Sequence, residues 1–314
     1  MAASAPEEAE LKLAKYIIDD CAARGLKHFF GIPGSGSPMD LMKAAHAAGL
    51  QFVITAHESS AVISAAYYGL FKGTAGLMVG IKGVGMGNAV GGAVNASTER
   101  VPVVVVCEAR SSTVPRALPL AQHMGADQAS FFGDVLRYAG AIAEGGVAQT
   151  WQAATSAAAH GRPGASFVDL PGNLGQAAVD AAAAAQLAAR VAEGEAAWAA
   201  REGAAEDAIA AGAAALLPLG DRRPVVIVGA DVVRDGAVAE LAAFVAAVGG
   251  AVLTTMEARG AYPEDDDRWA GVLVSRTSAP VIETKLLAGT SSPRDLLVLS
   301  RTYTYPTAHS STCC

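Results

Sequence analysis

Residues 55 to 70 read TAHESSAVISAAYYGL and set an ionisable pair, His57 and Glu58, at the mouth of a segment otherwise almost wholly small and apolar. A carboxyl group in such a socket can do proton chemistry, because burial disfavours its charged form and lets it share a proton with a weak base. The competing reading is structural. Thr55 followed three residues later by Glu58 fits a capping box, in which the two side chains satisfy orphan amides at a helix start. Two glycine-rich stretches stand nearby in the chain, GIPGSGSP at 31 to 38 and GVGMGNAVGG at 83 to 92. Each follows a predicted strand and precedes a predicted helix, where open parallel sheets bind ligands. Either one alone also reads as glycines needed for positive φ or close packing. Neither is a dinucleotide fingerprint: counting from Gly83, the third glycine of Gly-x-Gly-x-x-Gly falls on Asn88, which weighs against a nicotinamide dehydrogenase. VGADVVRDG, 228 to 236, lacks Gly-x-Gly and reads as a structural turn.

Around these residues the chain alternates helix and strand. Glu7 to Arg24 has helical apolar spacing and stops at Gly25, and HFFGIPG is a strand running into a loop. Ser37 or Pro38 opens the next helix, QFVITA (51 to 56) is a strand, and the Glu58 helix follows. Then come strand AGLMVGI, the second glycine stretch as a loop, a helix from about Asn88, and strand VPVVVVC at 101 to 107. An alanine-dominated run from Gln176 to Leu217 reads as helices at a domain boundary. The strand–helix alternation resumes with RRPVVIVGADV, AVAELAAFVAAVGGAVLTT and DLLVLS. The expectation is an α/β protein of two doubly wound domains with mainly parallel sheets.

Composition narrows the function. The 314 residues are 52% hydrophobic and 17% charged, enough for two cores and too apolar for disorder. A formal charge of −7 and a pI near 5.4 supply no basic field for nucleic acid. Gly73 to Ser97 carries only Lys82 as a charge, yet its eight glycines and Asn88 and Asn95 argue for buried strands rather than a membrane span. Cys21, Cys107, Cys313 and Cys314 include no Cys-x-x-Cys and no zinc spacing, so no metal ligands are expected. The acidic opening MAASAPEEAELK lacks a secretory signal, and a reducing, cytoplasmic setting is expected.

The order of the pieces is more specific than any one of them. GIPG, then HESSA on a small-residue helix, then KGVGMGN, then the P-x-V-x-V strand, then RPGASFVDLPGN (162 to 173) resembles the pyrimidine-binding domain of thiamine-diphosphate-dependent enzymes. Within that superfamily it looks most like the acetolactate synthase and pyruvate oxidase branch. His57, Glu58, Ala61, Ala65, Tyr68 and Gly73 keep the family's register, and Lys82 to Asn88 stands for its Ser-Gly-Pro-Gly-x-x-Asn loop. RRPVVIVGADVV through TTMEARGAYPEDDDRWAG resembles the Rossmann-like central domain, with Gly260 to Asp265 as its Gly-x-(Phe/Tyr)-Pro-Glu-Asp segment. The resemblance covers roughly residues 8 to 272. It implies a pyrimidine-binding domain at 8 to 180, an alanine-rich helical linker at 181 to 203 and a central domain at 204 to 314.

The resemblance also gives Glu58 a chemical role. It implies a carboxyl group hydrogen-bonded to N1′ of the cofactor's aminopyrimidine, favouring the imino tautomer that removes the proton from C2 of the thiazolium. It implies cofactor contacts from Pro33, Gly34, Gly83, Gly85 and Asn88, and a substrate pocket lined by Gln122, Lys82 and His57 for a small 2-oxo acid. Ala61, Ala65 and Ala66 are expected to leave room for a ring and for a partner surface, with the helix from Ser59 to Tyr68 packing on another subunit. Three departures qualify this. Lys82 stands where a serine is usual, so a cation is near the pocket. The run after Gly271 lacks the family's Gly-Ala-Arg-Phe-Asp, so FAD is not expected. No Gly-Asp-Gly followed by an asparagine occurs, the last asparagine being Asn173, so the magnesium and diphosphate domain is expected on another chain. The expected protein is a component of a thiamine-diphosphate enzyme, working as a homo-oligomer or with a second chain. The other reading is a non-catalytic relative that keeps the fold as a binding and assembly scaffold.

Overall fold

The valine run of strand Val103–Ala109 lies in the middle of a parallel sheet and is buried on both faces, as a continuous apolar strand requires. In the computed structural model, residues 11–111, 127–143, 145–193, 206–216, 224–273 and 296–299 are described. They fall into two compact units, Met1–Arg201 and Glu202–Cys314. In the first, the elements are α1 (Leu13–Ala23), β1 (His28–Gly31), α2 (Ser37–Ala48), β2 (Gln51–Ile54), α3 (Glu58–Lys72), β3 (Gly76–Gly80) and α4 (Val84–Thr98). After these come β4 (Val103–Ala109), a 3₁₀ turn (Gln128–Val135), β5 (Tyr138–Ala141), α5 (Val147–Ala159), β6 (Ala165–Pro171) and α6 (Ala181–Glu193). The strands pair in the order β2-β1-β3-β4-β6-β5, all parallel.

Side chains alternate across this sheet into two cores. Leu77, Val79, Val104, Val106, Val168 and Leu170 face α1, α2, α5 and α6. Met78, Val103, Val105, Cys107, Ala165 and Phe167 face α3 and α4. The sheet is therefore doubly wound, and the chain reverses its direction of strand addition at β1: α2 carries it out to β2, and α3 brings it back to β3 on β1's other side. A crevice at the carboxyl ends of β1 and β3 follows from that reversal. Two contacts of one buried carboxylate fasten α1 to α5 and α6, and a third closes the end of α1. Asp20, fully buried, accepts from Trp151 Nε1 at 2.6 Å and pairs with Arg24 at 2.9 Å and Arg190 at 2.7 Å. With Ala183 and Leu187 also buried in this core, α6 packs as part of the first unit.

In the second unit a parallel sheet pairs in the order β10-β7-β8-β9: β7 is Val225–Val228, β8 Ala251–Thr255, β9 Trp269–Leu273 and β10 Leu296–Leu299. Val226, Val228 and Val252 pack on Leu241 and Val245 of the helix Val238–Val248. Tyr262, from the Gly260 to Asp265 segment, joins the same core.

Two local expectations are corrected. The glycine stretch after β3 is not an extended loop ending near Asn88; α4 begins at Val84 and absorbs most of it. Glycine disfavours a helix by about 1 kcal/mol each, but here packing overrides it. A Cβ on Gly92 would lie 2.7 Å from both the Ser59 carbonyl oxygen and Val62 Cβ, so the bare backbone is what lets α4 lie against α3. Likewise VGADVVRDG is not a simple turn, since Ala230–Arg234 forms a short helix after β7.

Candidate active site

Glu58 is the first residue of α3, and its neighbours release it from capping. His57 is the cap, with extended backbone (φ −154°, ψ 145°), and its Nδ1 accepts from the Ser59 amide at 3.2 Å. Thr55 Oγ1 donates instead to the His57 carbonyl at 3.0 Å. The capping-box reading of Thr55 and Glu58 is thereby overturned: an imidazole does that work, and the Glu58 carboxylate is free to point elsewhere.

It points into the crevice. Glu58 is 6% exposed, and its Oε2 accepts from Asn88 Nδ2 at 3.0 Å. Its Oε1 lies against Gly85, where a Cβ would stand 3.2 Å away and would also meet Ile81 Cγ2 at 2.7 Å. Gly34, in the loop after β1, packs on the same Ile81, at 3.2 Å from its Cβ to the Cβ a side chain would add. Pro33 precedes it in that loop, and Gly83 is the residue before α4 with φ 70°. Glu58, Gly85 and Asn88 are thus brought together directly, while Gly34 reaches the group through Ile81. His57 is exposed and its ring is occupied in the cap. Gln122 lies outside the described residues.

Lys82 does not stand alone in the crevice. Its Nζ lies 3.0 Å from Oε1 of Glu108, a carboxylate only 5% exposed at the end of β4. Gly36 and Gly172 crowd the same carboxylate; a Cβ on Gly36 would come within 2.4 Å of Glu108 Oε1. Ser35 Oγ reaches the other oxygen at 3.5 Å. The cation that the sequence places near the pocket is matched by an anion from its own chain.

On the α3–α4 face of the same edge sits a residue that sequence reasoning missed. Gln128 is 3% exposed. Its Oε1 accepts from the Gly83 amide at 2.7 Å and from Cys107 Sγ at 3.2 Å, while its Nε2 donates to Asp169 Oδ1 at 2.9 Å and the Glu108 carbonyl at 3.3 Å. The available signal was one amide in an aromatic stretch, DQASFF, only six residues beyond the glutamine favoured from sequence. Burial pushes the Asp169 carboxyl up to about 6; the Gln128 bond opposes this and the charge of Asp127 adds to it. Burial also pushes the Cys107 thiol well up, keeping it protonated. Among the described residues no group of three or more His, Cys, Asp or Glu could hold a metal ion, and no helix is long and apolar enough to cross a membrane.

A buried acid at the switch point of a doubly wound sheet, facing the bare backbone of a glycine, defines a class, and comparison with known proteins agrees with it. Residues 11–131 match the thiamine pyrophosphate enzyme N-terminal TPP binding domain, and residues 211–290 match the thiamine pyrophosphate enzyme central domain. The chain belongs to the thiamine pyrophosphate enzyme family, of which it carries the N-terminal and central domains. It is similar to the catabolic acetolactate synthase of Raoultella terrigena, 30% identical over 162 residues, which are 51% of this chain and 28% of that protein. A probable acetolactate synthase large subunit of Methanocaldococcus jannaschii is 28% identical over 257 residues, 81% of this chain and 42% of that protein. Human 2-hydroxyacyl-CoA lyase 2 is 30% identical over 154 residues, 48% of this chain and 23% of that protein. The chain spans less than half the length of these relatives.

Proposed function

We propose that this chain supplies the pyrimidine-binding half of a thiamine-diphosphate enzyme acting on 2-oxo acids, an acetolactate synthase-like carboligase or a decarboxylase. The observation that carries it is the Glu58 carboxylate: buried at the switch point, hydrogen-bonded to one neutral amide, and facing the bare backbone of Gly85. These residues fit a flat aminopyrimidine, since a carboxyl oxygen, small apolar walls and missing Cβ atoms are what a ring nitrogen in a slot requires. The bound cofactor would supply a carbon nucleophile that adds to the carbonyl of the substrate. Glu58 holds or shares a proton at the ring nitrogen, Asn88 orients it through Oε2, and Gly85 and Gly34 leave the slot open. Magnesium and the diphosphate group would be held by another chain or domain. Homologous enzymes described as large subunits are consistent with a multi-chain assembly.

The surface for such an assembly lies on the helix the sequence suggests, Ser59 to Tyr68, but on a different face of it. Ala61, Ala65 and Ala66 are wholly buried within their own unit, so they face the sheet and α4 and not a partner. The outward side of α3 carries Ile63, Tyr67 and Phe71, the last 85% exposed, and α4 exposes Val84 and Val94. Large apolar side chains left exposed at helical spacing suit an association surface, and Phe71→Asp is expected to lower the native mass of the assembly; an unchanged mass would count against this surface.

The test of function is cofactor titration with magnesium by native mass spectrometry and calorimetry on the assembled protein, wild type beside Glu58→Gln. Retained cofactor in the wild type and turnover lost in the variant are expected. The competing reading, a non-catalytic relative serving as an assembly scaffold, is favoured by the presence of Lys82 at the crevice and weakened by its pairing with Glu108. No cofactor uptake by the assembled wild type would establish it.

A further inference from the structure

We propose that Asp169 is a positioning residue for the Glu58 cradle, acting through Gln128 on the amide of Gly83 where α4 begins. The contacts form one uninterrupted line. Asp169, at the carboxyl end of β6, accepts from Gln128 Nε2 at 2.9 Å; Gln128 Oε1 accepts from the Gly83 amide at 2.7 Å; and the Gly83 carbonyl accepts the first bond of α4, from the Gly87 amide at 2.9 Å. Within the same turn and the next, Gly85 touches Glu58 Oε1 and Asn88 bonds Glu58 Oε2.

The line has a preferred direction set by the charge of Asp169. An ionised carboxylate only accepts, so Gln128 must offer it Nε2 and therefore turns Oε1 to Gly83. A protonated Asp169 carries a donor of its own, which competes for Oε1; were the amide to reverse, its NH₂ would face the Gly83 N–H, donor against donor. Gly83 is the residue where this matters, because its left-handed φ of 70° starts the helix with no side chain to brace it.

The surroundings of Asp169 keep this change within a usable range. Cys107, its register partner on β4, stays a neutral thiol; Ala141 of β5 offers no charge; and Asp127, before the 3₁₀ turn, adds an anion. Glu108 presents its carbonyl to Gln128, while its carboxylate is paired with Lys82. Burial brings the Asp169 transition to about pH 6, so near neutrality the carboxylate is ionised and the cradle is held.

The relay itself does not depend on a cofactor; its consequence for Glu58 rests on the function proposed above. The experiment is a pH titration of the full, isotope-labelled chain by NMR, without cofactor. It follows the Asp169 side-chain carboxyl, the Gln128 side-chain amide and the Gly83 backbone amide. All three are expected to move with one midpoint near 6, and exchange of the Gly83 amide with solvent, corrected for its intrinsic pH dependence, to be several-fold slower above the midpoint than below. Gln128→Met should move the Asp169 transition upward, because the bond that opposes burial is gone, and erase the Gly83 response. Asp169→Asn should flatten both amide responses. A Gly83 amide indifferent to pH in the wild type, or one that keeps its transition in Asp169→Asn, would overturn the proposal. Since the wild-type titration decides the matter by itself, a variant that fails to fold leaves the test intact. Titration of the same samples with thiamine diphosphate separates the two claims, because loss of binding with an intact relay removes the function and leaves the relay standing.

Discussion

Two buried glutamates stand at the carboxyl edge of the first sheet, and they are treated in opposite ways. Glu108 is held on the α2 side of β4 with a lysine at 3.0 Å and a serine hydroxyl beside it, and glycines are cleared to fit the carboxylate itself. Glu58 is as deeply buried, yet its bonded partner is the neutral Asn88, and a glycine is cleared beside its second oxygen. A carboxylate matched by a cation has its charge balanced and its geometry fixed, which makes it a structural element. A carboxylate bonded to a neutral amide, with bare backbone beside its other oxygen, has the geometry that a site for a basic ring needs. The difference explains why Lys82 can occupy the crevice without neutralising Glu58: another acid, one strand away, holds it.

The largest expected effect separates the two carboxylates by function. In the assembled protein, Glu58→Gln should fold normally and lose turnover by more than about a hundredfold, the usual scale of an essential proton-transfer group, whereas Glu108→Gln should retain turnover and lose stability. Steady-state rates beside thermal melts make the comparison, and equal rates in the two variants would erase the distinction between them. Lys82→Met probes the other side. It leaves Glu108 buried without its cation and should cost about 2 kcal/mol, less than for a fully enclosed pair because Lys82 is partly solvated. Adding Glu108→Gln to Lys82→Met should recover most of that loss in denaturant melts; no recovery would mean the pair is incidental.

Gly92→Ala strikes only the Glu58 side. Its new Cβ would sit 2.7 Å from a carbonyl oxygen and from Val62, so α4 must move off α3, at a cost of about 1 to 3 kcal/mol. Because Asn88 rides on α4, cofactor affinity should fall along with stability. A melt shifted with affinity unchanged would show that the helix spacing does not set the Glu58 geometry.

How much of this was legible in the sequence depends on whether the signal was local. The parallel, doubly wound sheets follow from βα repetition, and Glu58 was marked by its own contrast with the alanines around it. The roles of those alanines were not legible. Small residues at 61, 65 and 66 say that something approaches closely, but not whether it is a partner or the chain's own sheet. Glycine composition misled at 83 to 92 for the same reason, since helix propensity is local and the contact of Gly92 with Ser59 and Val62 is not. Lys82 was visible as an odd cation, but its match, Glu108, is 26 residues away and meets it only because β3 and β4 are neighbours. Gln128 carried no local mark beyond its polarity, and its four contacts come from three separate segments.

Asp169 lies where the two sides meet, and its expected effect is the smallest and the most dependent on conditions. Its carboxyl titrates at about 6 in the folded chain against an ordinary 3.8, so the folded state binds the proton more tightly than the unfolded chain does. For a pKa raised on folding, the stabilising contribution is complete below about pH 4 and is lost as pH rises through about 6. Asp169→Asn cannot ionise and escapes that loss. The variant should therefore melt close to the wild type at the acid end and above it near neutrality, with the gap opening between about pH 4 and 6 and holding constant beyond. Thermal melts at a series of pH values read this directly, and a gap independent of pH would show that the carboxyl is not ionising at a cost. If the gap opens as expected, the chain keeps a carboxylate that weakens its own fold at neutral pH. The gain from that loss is then sought in the orientation of Gln128, because a site held in place by a charge often gives up stability for geometry.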